Sequence, residues 1–392
     1  MENIFYNRQF LDNSDLKEVQ KSLKEKLITT GPYVKKLELS LQKYLGVKNA
    51  ISCSSGTSAI FIALKSINLK KGDNVIMPAI NFVASSNAVE MLGANIYLAD
   101  IDINTGQMSP KTLRECIRFN KLKKIKAVVT MYLGGNPNNI IEFYKLKKSF
   151  KFFLIEDSCH ALGAKYLFKK NFLMIGCSKH CDISTFSLHP VKSITSGEGG
   201  IITTNNNVLA SKIKLLRSHG MVRATNSKNK NQYWKYDIMT PSLNFRLSDI
   251  NASLAYSQLK KLNKFIKNRN KLFLSYQFQF KDIQKFLKVV VSDKNTISAH
   301  HLMIVMINFK RLKIDKNTFI KKMIKSKIFP QFHYIPIYKF TYYKHLKNKY
   351  EFVSSEGYYD SALSLPLYYK LSEKNLIKIT KVVKKIINQY EI

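Results

Sequence analysis

Ala50-Ile-Ser-Cys-Ser-Ser-Gly-Thr-Ser-Ala-Ile-Phe-Ile-Ala-Leu-Lys-Ser66 decides the fold. Ala50–Ser54 suits a short strand, Gly56 turns the chain, and Thr57–Ser66 carries a helical pattern. The unit recurs downstream. Strands are predicted at Asn74–Met77, Asn95–Ala99, Ala127–Met131, Phe152–Glu156, Ser184–Leu188 and Gly200–Thr204. Helices are predicted at Ser85–Leu92, Ser109–Phe119 and Ile140–Phe150. Alternation of this kind makes an α/β fold, a mainly parallel sheet covered by helices, whose ligands bind at the carboxyl ends of the strands.

Upstream, residues 14–46 read as helix: Leu16, Val19, Leu23 and Leu27 recur at helical spacing, and Val34, Leu37, Leu39 and Leu41 follow a break at Gly31-Pro32. Past residue 250 the pattern changes. A long lysine-rich helix is expected over Asp249–Phe273, then strands at Lys288–Ser292 and His301–Asn308, a helix near Lys316–Ser326 and a terminal helix, Glu373–Ile387. The expected organisation is a large domain over residues 1–250, including the N-terminal helical segment, and a smaller α+β domain over residues 251–392.

The chain has 392 residues, 45% of them hydrophobic, enough for a large core. No apolar run is long enough to span a membrane, and Met1–Arg8 lacks the apolar core of a secretion signal. Five irregularly spaced cysteines suit reduced thiols in a cytoplasm. The formal net charge of +38 admits a nucleic-acid partner. The basic residues, however, are mostly lysines scattered from end to end, in a chain also rich in asparagine, isoleucine and tyrosine, as AT-rich coding produces. No zinc-finger spacing, RNP sequence or basic heptad region accompanies them, so no nucleic-acid partner is expected. The positive field favours an anionic small-molecule substrate.

Four segments carry chemistry. In Ser52-Cys-Ser-Ser-Gly-Thr-Ser58, Gly56 permits close backbone approach, the following helix offers free amides, and Thr57 and Ser58 add hydroxyls, which together suit a phosphate. An ordinary helix cap has the same composition. In Pro78-Ala-Ile-Asn-Phe-Val-Ala-Ser85, Phe82 suits stacking on a flat ring or a place in the core. In Leu154-Ile-Glu-Asp-Ser-Cys-His-Ala-Leu-Gly163, Asp157 closes an apolar strand where it is able to pair with a ring nitrogen, and His160 follows. In Thr185-Phe-Ser-Leu-His-Pro-Val-Lys-Ser-Ile-Thr-Ser-Gly-Glu-Gly-Gly200, Lys192 ends a strand among small polar residues, where desolvation would leave its amine partly neutral and able to form a Schiff base. Ser187, five residues earlier, adds a hydroxyl that suits the phosphate. Phosphate cradle, aromatic, acid and lysine, each at a separate strand end, is the set that pyridoxal phosphate needs. A competing reading gives Cys177-Ser-Lys-His-Cys181, with Cys159 and His160 upstream, to zinc, at loose spacing.

Over nearly its whole length the chain resembles the DegT/DnrJ sugar aminotransferases. The resemblance rests on Ser-Ser-Gly-Thr-Ser58, Pro78-Ala-Ile-Asn-Phe-Val-Ala84, Glu156-Asp-Ser-Cys-His-Ala-Leu-Gly-Ala164, Phe186–Gly200, Leu216-Arg-Ser-His-Gly220 and Asn244-Phe-Arg-Leu-Ser-Asp-Ile250, in the family's order. It implies the type I fold of pyridoxal-phosphate transferases and a homodimer with shared active sites. By resemblance, Lys192 holds the cofactor, Asp157 its ring nitrogen, and Gly56, Thr57, Ser58 and Ser187 its phosphate; Phe82 and His160 lie at its ring, and Asn244 reaches the cofactor phosphate of the neighbouring subunit. No metal is implied. Sister enzymes with histidine at the lysine position are dehydratases, so Lys192 implies transamination.

Tyr6-Asn-Arg-Gln9, Leu27–Pro32, Ser187–Lys192, Arg217–Met221, Phe332–Tyr338 and Ala362–Pro366 resemble the branch that aminates UDP-4-keto-6-deoxy-N-acetyl-β-L-altrosamine for pseudaminic acid, with L-glutamate as donor. That branch implies a sugar-nucleotide pocket formed by Tyr6, Thr29, Thr30, Gly31, His333 and Tyr334. Two alternatives stay open: another nucleotide-keto-sugar of the perosamine or bacillosamine type, and a non-catalytic basic binding protein on the same fold.

Overall fold

The computed structural model describes residues 3–223, 234–347 and 350–391. Its first part contains β1 (Ile4–Phe5), α1 (Asn13–Ser22), α2 (Pro32–Leu45), β2 (Asn49–Cys53), α3 (Gly56–Ser66), β3 (Asn74–Pro78), α4 (Ala84–Met91), β4 (Asn95–Ala99), α5 (Pro110–Phe119), β5 (Ala127–Met131) and α6 (Ile140–Phe150). There follow β6 (Phe153–Asp157), the hairpin β7 (Lys165–Phe168) and β8 (Asn171–Met174), β9 (Ile183–Ser187), β10 (Gly200–Thr204), α7 (Asn207–Arg217) and the hairpin β11 (Met221–Arg223) and β12 (Tyr236–Ile238). The last part holds α8 (Asp249–Leu259), α9 (Leu262–Gln279), β13 (Leu287–Val289), β14 (Thr296–Ile297), β15 (Met303–Ile307), α10 (Lys316–Lys325), β16 (Ile328–Phe329), α11 (Val353–Ser361), β17 (Ala362–Leu365) and α12 (Glu373–Tyr390).

Local chemistry sets many boundaries. Pro32 starts α2 behind Gly31, and Gly46 stops it in the left-handed conformation at φ 67°. Ser109 and Thr112 form a capping box ahead of Pro110 on α5. Ser55 caps α3 by accepting the Ser58 amide.

The main sheet has seven strands in the order β2-β10-β9-β6-β5-β3-β4. β10 is antiparallel to both neighbours, and the remaining pairs are parallel. The carboxyl ends of β2, β3, β5, β6 and β9 therefore share one edge with the amino end of β10. Alternate side chains face opposite layers. Val75 and Met77 of β3 join Ala63, Val89 and Ile213 from α3, α4 and α7. Ile76, between them, joins Leu113, Phe143 and Leu146 from α5 and α6. Phe186 and Ile201 meet Leu37 and Leu41 of α2 and Ala252 of α8. Each buried side chain of this size contributes about 1.5–3 kcal/mol.

A second core forms around the antiparallel sheet β13-β15-β17, where Met303, Val305 and Leu365 pack against Tyr276, Phe319, Leu376, Ile379 and Val383 of α9, α10 and α12. Ile337, Tyr338, Tyr343 and Phe352 return to the first core.

Two expectations change. The N-terminal helix is not continuous to the Gly31-Pro32 break: α1 ends at Ser22. Its buried face is polar. Ser22 meets Ser253, and Asp15 accepts from Gln258 Nε2 and Lys261 Nζ. Leu16, Leu23 and Leu27, read as apolar stripe, are instead 56–58% exposed, as is Leu39 on the outer side of α2 at 53%. The predicted helix over Asp249–Phe273 is two helices, α8 and α9, interrupted at residues 260–261. Among the described residues no helix is long and apolar enough to cross a membrane.

Candidate active site

The shared strand edge forms the floor of a cavity of about 540 Å³. Each wall comes from a turn that follows a strand. Ser55, Gly56 and Thr57 arrive after β2, Asn81 and Phe82 after β3, Met131 at the end of β5, Asp157, Cys159 and His160 at the end of β6, and Ser187 and Lys192 after β9. The second core closes the opposite side with His301, His333 and Tyr334, and the amino-terminal arm adds Tyr6.

Lys192 is partly open to the cavity but otherwise surrounded by protein. Desolvation lowers its proton affinity, while Cys159 and Asp157 oppose the shift. Asp157 is 2% exposed. Its Oδ1 accepts the Cys159 amide at 3.1 Å, and burial raises its pKa.

The first turn of α3 presses against Ser187. A Cβ added to Gly56 would lie 2.7 Å from Ser187 Cβ, and one added to Gly200 would lie 2.1 Å from Ser55 O. Only glycines permit these approaches. The amides of Gly56 and Thr57 precede the first intrahelical bond of α3, at its positive end. Ser58 lies beneath, with its hydroxyl 2.9 Å from those of both Ser54 and Ser55. Phe82 is half exposed, its ring centroid 5.7 Å from that of Tyr334.

Three buried histidines gather beside these groups. The rings of His160 and His301 are 4.3 Å apart, and those of His160 and His333 are 6.2 Å apart. Burial pushes all three well below the usual histidine range, His333 to about 3, and the Lys192 charge adds to the effect. His160 Nδ1 lies 3.4 Å from Gly134 N and its Nε2 2.9 Å from Tyr334 Oη. His333 Nδ1 lies 2.8 Å from Ser364 Oγ.

Lys192, Asp157, Gly56, Thr57, Phe82, His160, Ser187, Tyr6, His333 and Tyr334 thus meet in one cavity. Ser58, Thr29, Thr30, Gly31 and Asn244 are not among its lining residues in the single chain. Residues 29–31 are tied instead to the start of α8: Thr29 bridges to Ser248, and Asp249 accepts from Gly31 N at 2.6 Å. Asn244 is exposed, its side chain accepting from Arg246 N. Sequence reasoning missed Asn81 and His301. Asn81 is 1% exposed and its amide has no hydrogen-bond partner among the described residues. The sequence pattern marks His301 only as the start of a strand. No local signal marks either residue, because the second core brings His301 in from a distant part of the chain.

The zinc reading is corrected. His180 Nδ1 is 2.6 Å from Tyr166 Oη, and Cys181 Sγ is 3.2 Å from Ser184 Oγ. Among the described residues no group of three or more histidine, cysteine or acidic side chains is arranged to hold a metal.

The donor set fits pyridoxal phosphate. The close Gly56–Ser187 cradle brings free amides and hydroxyls to one place for a phosphate. Asp157 suits a protonated ring nitrogen, Phe82 the ring face, and Lys192 the aldehyde.

Comparison with known proteins agrees. The DegT/DnrJ/EryC1/StrS aminotransferase family matches residues 9–386. The UDP-4-amino-4,6-dideoxy-N-acetyl-β-L-altrosamine transaminase of Campylobacter jejuni is 33% identical over 372 residues, covering 95% of this chain and 94% of its own. The structure of Helicobacter pylori PseC, an aminotransferase involved in the biosynthesis of pseudoaminic acid, superposes with a TM-score of 0.88 at 30% identity, covering 99% of this chain and 100% of that one. Spr1654 of Streptococcus pneumoniae, assigned as a sugar aminotransferase, has been solved in a PLP form; it is 26% identical, with a TM-score of 0.87 and 99% of both chains covered.

Proposed function

We propose, from the premise that the chain belongs to the DegT/DnrJ/EryC1/StrS aminotransferase family, that it moves the amino group of L-glutamate to C4 of UDP-4-keto-6-deoxy-N-acetyl-β-L-altrosamine, a step of pseudaminic acid biosynthesis. The chain is a pyridoxal-phosphate-dependent sugar aminotransferase of fold type I. The observation that carries the choice of sugar is the 33% identity, over 95% of the chain, to a transaminase named for that amino sugar. The donor rests on the family resemblance alone.

When bound, pyridoxal phosphate supplies an aldehyde that carries the amino group and a ring that accepts electrons from the carbon losing a proton. Lys192 Nζ would hold the cofactor through its aldehyde, and the free amine would be placed to take the proton from the donor Cα. Its lowered proton affinity, caused by desolvation, suits an amine that takes up and releases a proton. Asp157 holds a proton on the ring nitrogen. The Gly56 and Thr57 amides, with the hydroxyls of Thr57 and Ser187, would hold the phosphate, and Ser58 would support the cradle from beneath through Ser54 and Ser55. Phe82 covers the ring and His160 borders it. Tyr6, His333 and Tyr334 orient the sugar in our reading.

A second copy of the chain belongs in this scheme. Asn244, Thr29, Thr30 and Gly31 sit outside the single-chain cavity, and exposed apolar side chains lie near them: Leu23, Leu27 and Ile28 before α2, and Tyr236, Ile238, Met239 and Leu243 beside Asn244. A homodimer would cover these surfaces and bring Asn244 to the neighbouring phosphate. We place the enzyme in the cytoplasm, where its five free cysteines stay reduced.

The test is direct. The purified protein with pyridoxal phosphate, L-glutamate and the UDP-4-keto-sugar is expected to yield 2-oxoglutarate and the UDP-4-amino-sugar, read by mass spectrometry. Turnover of a perosamine- or bacillosamine-type keto-sugar in its place would move the assignment within the family.

A further inference from the structure

We propose that Tyr334 is a hydrogen-bond donor to an acceptor oxygen bound in the cavity, and that His160 is the positioning residue that directs its proton there. The inference deepens the proposed function and rests on it only for the identity of the oxygen.

One hydrogen-bond donor beside His160 is unambiguous. The Gly134 amide can only donate, and it faces His160 Nδ1 at 3.4 Å. A neutral imidazole accepts through one nitrogen and donates through the other. Nδ1 is therefore the bare nitrogen and Nε2 carries the hydrogen. The opposite tautomer would set two N–H groups against each other. Nε2–H then donates to Tyr334 Oη, 2.9 Å away. That phenol oxygen is thus already an acceptor, and its own hydrogen must find another partner. Tyr334 lines the cavity beside Phe82, and no second hydrogen bond of its hydroxyl is made among the described residues. The acceptor comes from the bound ligand.

The surroundings hold His160 neutral. The groups that face it are His301 and His333, both buried and uncharged by the same desolvation, the Tyr334 phenol, and the Lys192 amine, whose charge disfavours a second cation. The acceptor is a phenolate or carbonyl-type oxygen, supplied either by the cofactor ring or by the sugar.

The test begins with ligand-free protein labelled with ¹⁵N-histidine. The ring that disappears in His160→Gln should show a protonated Nε2 and a bare Nδ1, and Tyr334→Phe should shift its Nε2 signal without changing the tautomer. A protonated Nδ1, or an imidazolium at neutral pH, would overturn the proposal. Two further titrations locate the oxygen. Tyr334→Phe should weaken, by roughly tenfold or more, either pyridoxal phosphate binding, read by absorbance, or the KM for the keto-sugar. The first result assigns the oxygen to the cofactor and the second to the sugar. A variant that keeps both values, with its fold intact by circular dichroism, would also overturn the proposal.

Discussion

A lysine amine taken out of water keeps its proton only at a cost. Lys192 bears that cost, since desolvation outweighs its attraction to Asp157. Lys192→Met should therefore abolish turnover, by at least about 10²–10⁴-fold, yet stabilise the cofactor-free protein by roughly 1 kcal/mol or more. The pH dependence has a definite sign. The folded pKa lies below the unfolded one, so between the two the unfolded chain binds more protons and the wild type gains stability as pH rises. The advantage of Lys192→Met should be largest below the folded pKa and shrink toward the unfolded value of about 10.4. Urea unfolding across that range reads it; an advantage that grows with pH would contradict the assignment. At this scale the sequence was legible wherever one short segment held both the residue and its purpose. Asp157 and Ser187 end apolar strands and Lys192 follows β9 in the same short segment, so their place at the strand edge followed from neighbouring residues. Asn81 and His301 carried no such mark.

Among the elements, the join between β2 and α3 governs the site. Gly56 stands where a Cβ would strike Ser187 at 2.7 Å. Gly56→Ala should push the amino end of α3 away from Ser187 and weaken pyridoxal phosphate binding about tenfold or more, with little change in far-ultraviolet circular dichroism. A titration of cofactor absorbance checks this, and unchanged affinity would remove the first turn of α3 from the phosphate site. Strand and helix boundaries were legible because propensity, caps and burial agreed, as at Ser109-Pro110 of α5. They failed at α1. The leucine spacing there was real, but Asp15 and Ser22 face the protein because Gln258, Lys261 and Ser253 offer them partners. Periodicity identifies a face; it does not say which surface lies opposite.

For the whole molecule, two properties lead to measurements. The exposed leucines ahead of α2 and the apolar residues beside Asn244 are expected to be buried in a dimer. Light scattering should give twice the chain mass, and Leu23→Glu with Leu27→Glu should shift it toward monomer with loss of activity; a wild-type monomer with full activity would exclude shared sites. The +38 charge should raise the local concentration of an anionic sugar-nucleotide. The KM for the UDP-sugar should then rise several-fold between low and high salt while kcat holds. A flat salt response would leave the charge without a part in substrate capture.

The sequence by itself determined the layered α/β fold and the alternation of strands and helices from β2 to β6, and it pointed to a cofactor-directed set of residues near the strand ends. These follow from local periodicity and from short motifs whose residues are neighbours in the chain. The tertiary structure alone decided that β10 runs against its neighbours, that α1 turns its leucines outward, and that His301, His333 and Tyr334 close over Lys192. Each of these depends on which distant segment supplies the partner for a polar group or an apolar face, and pairing at long range leaves no period in the chain.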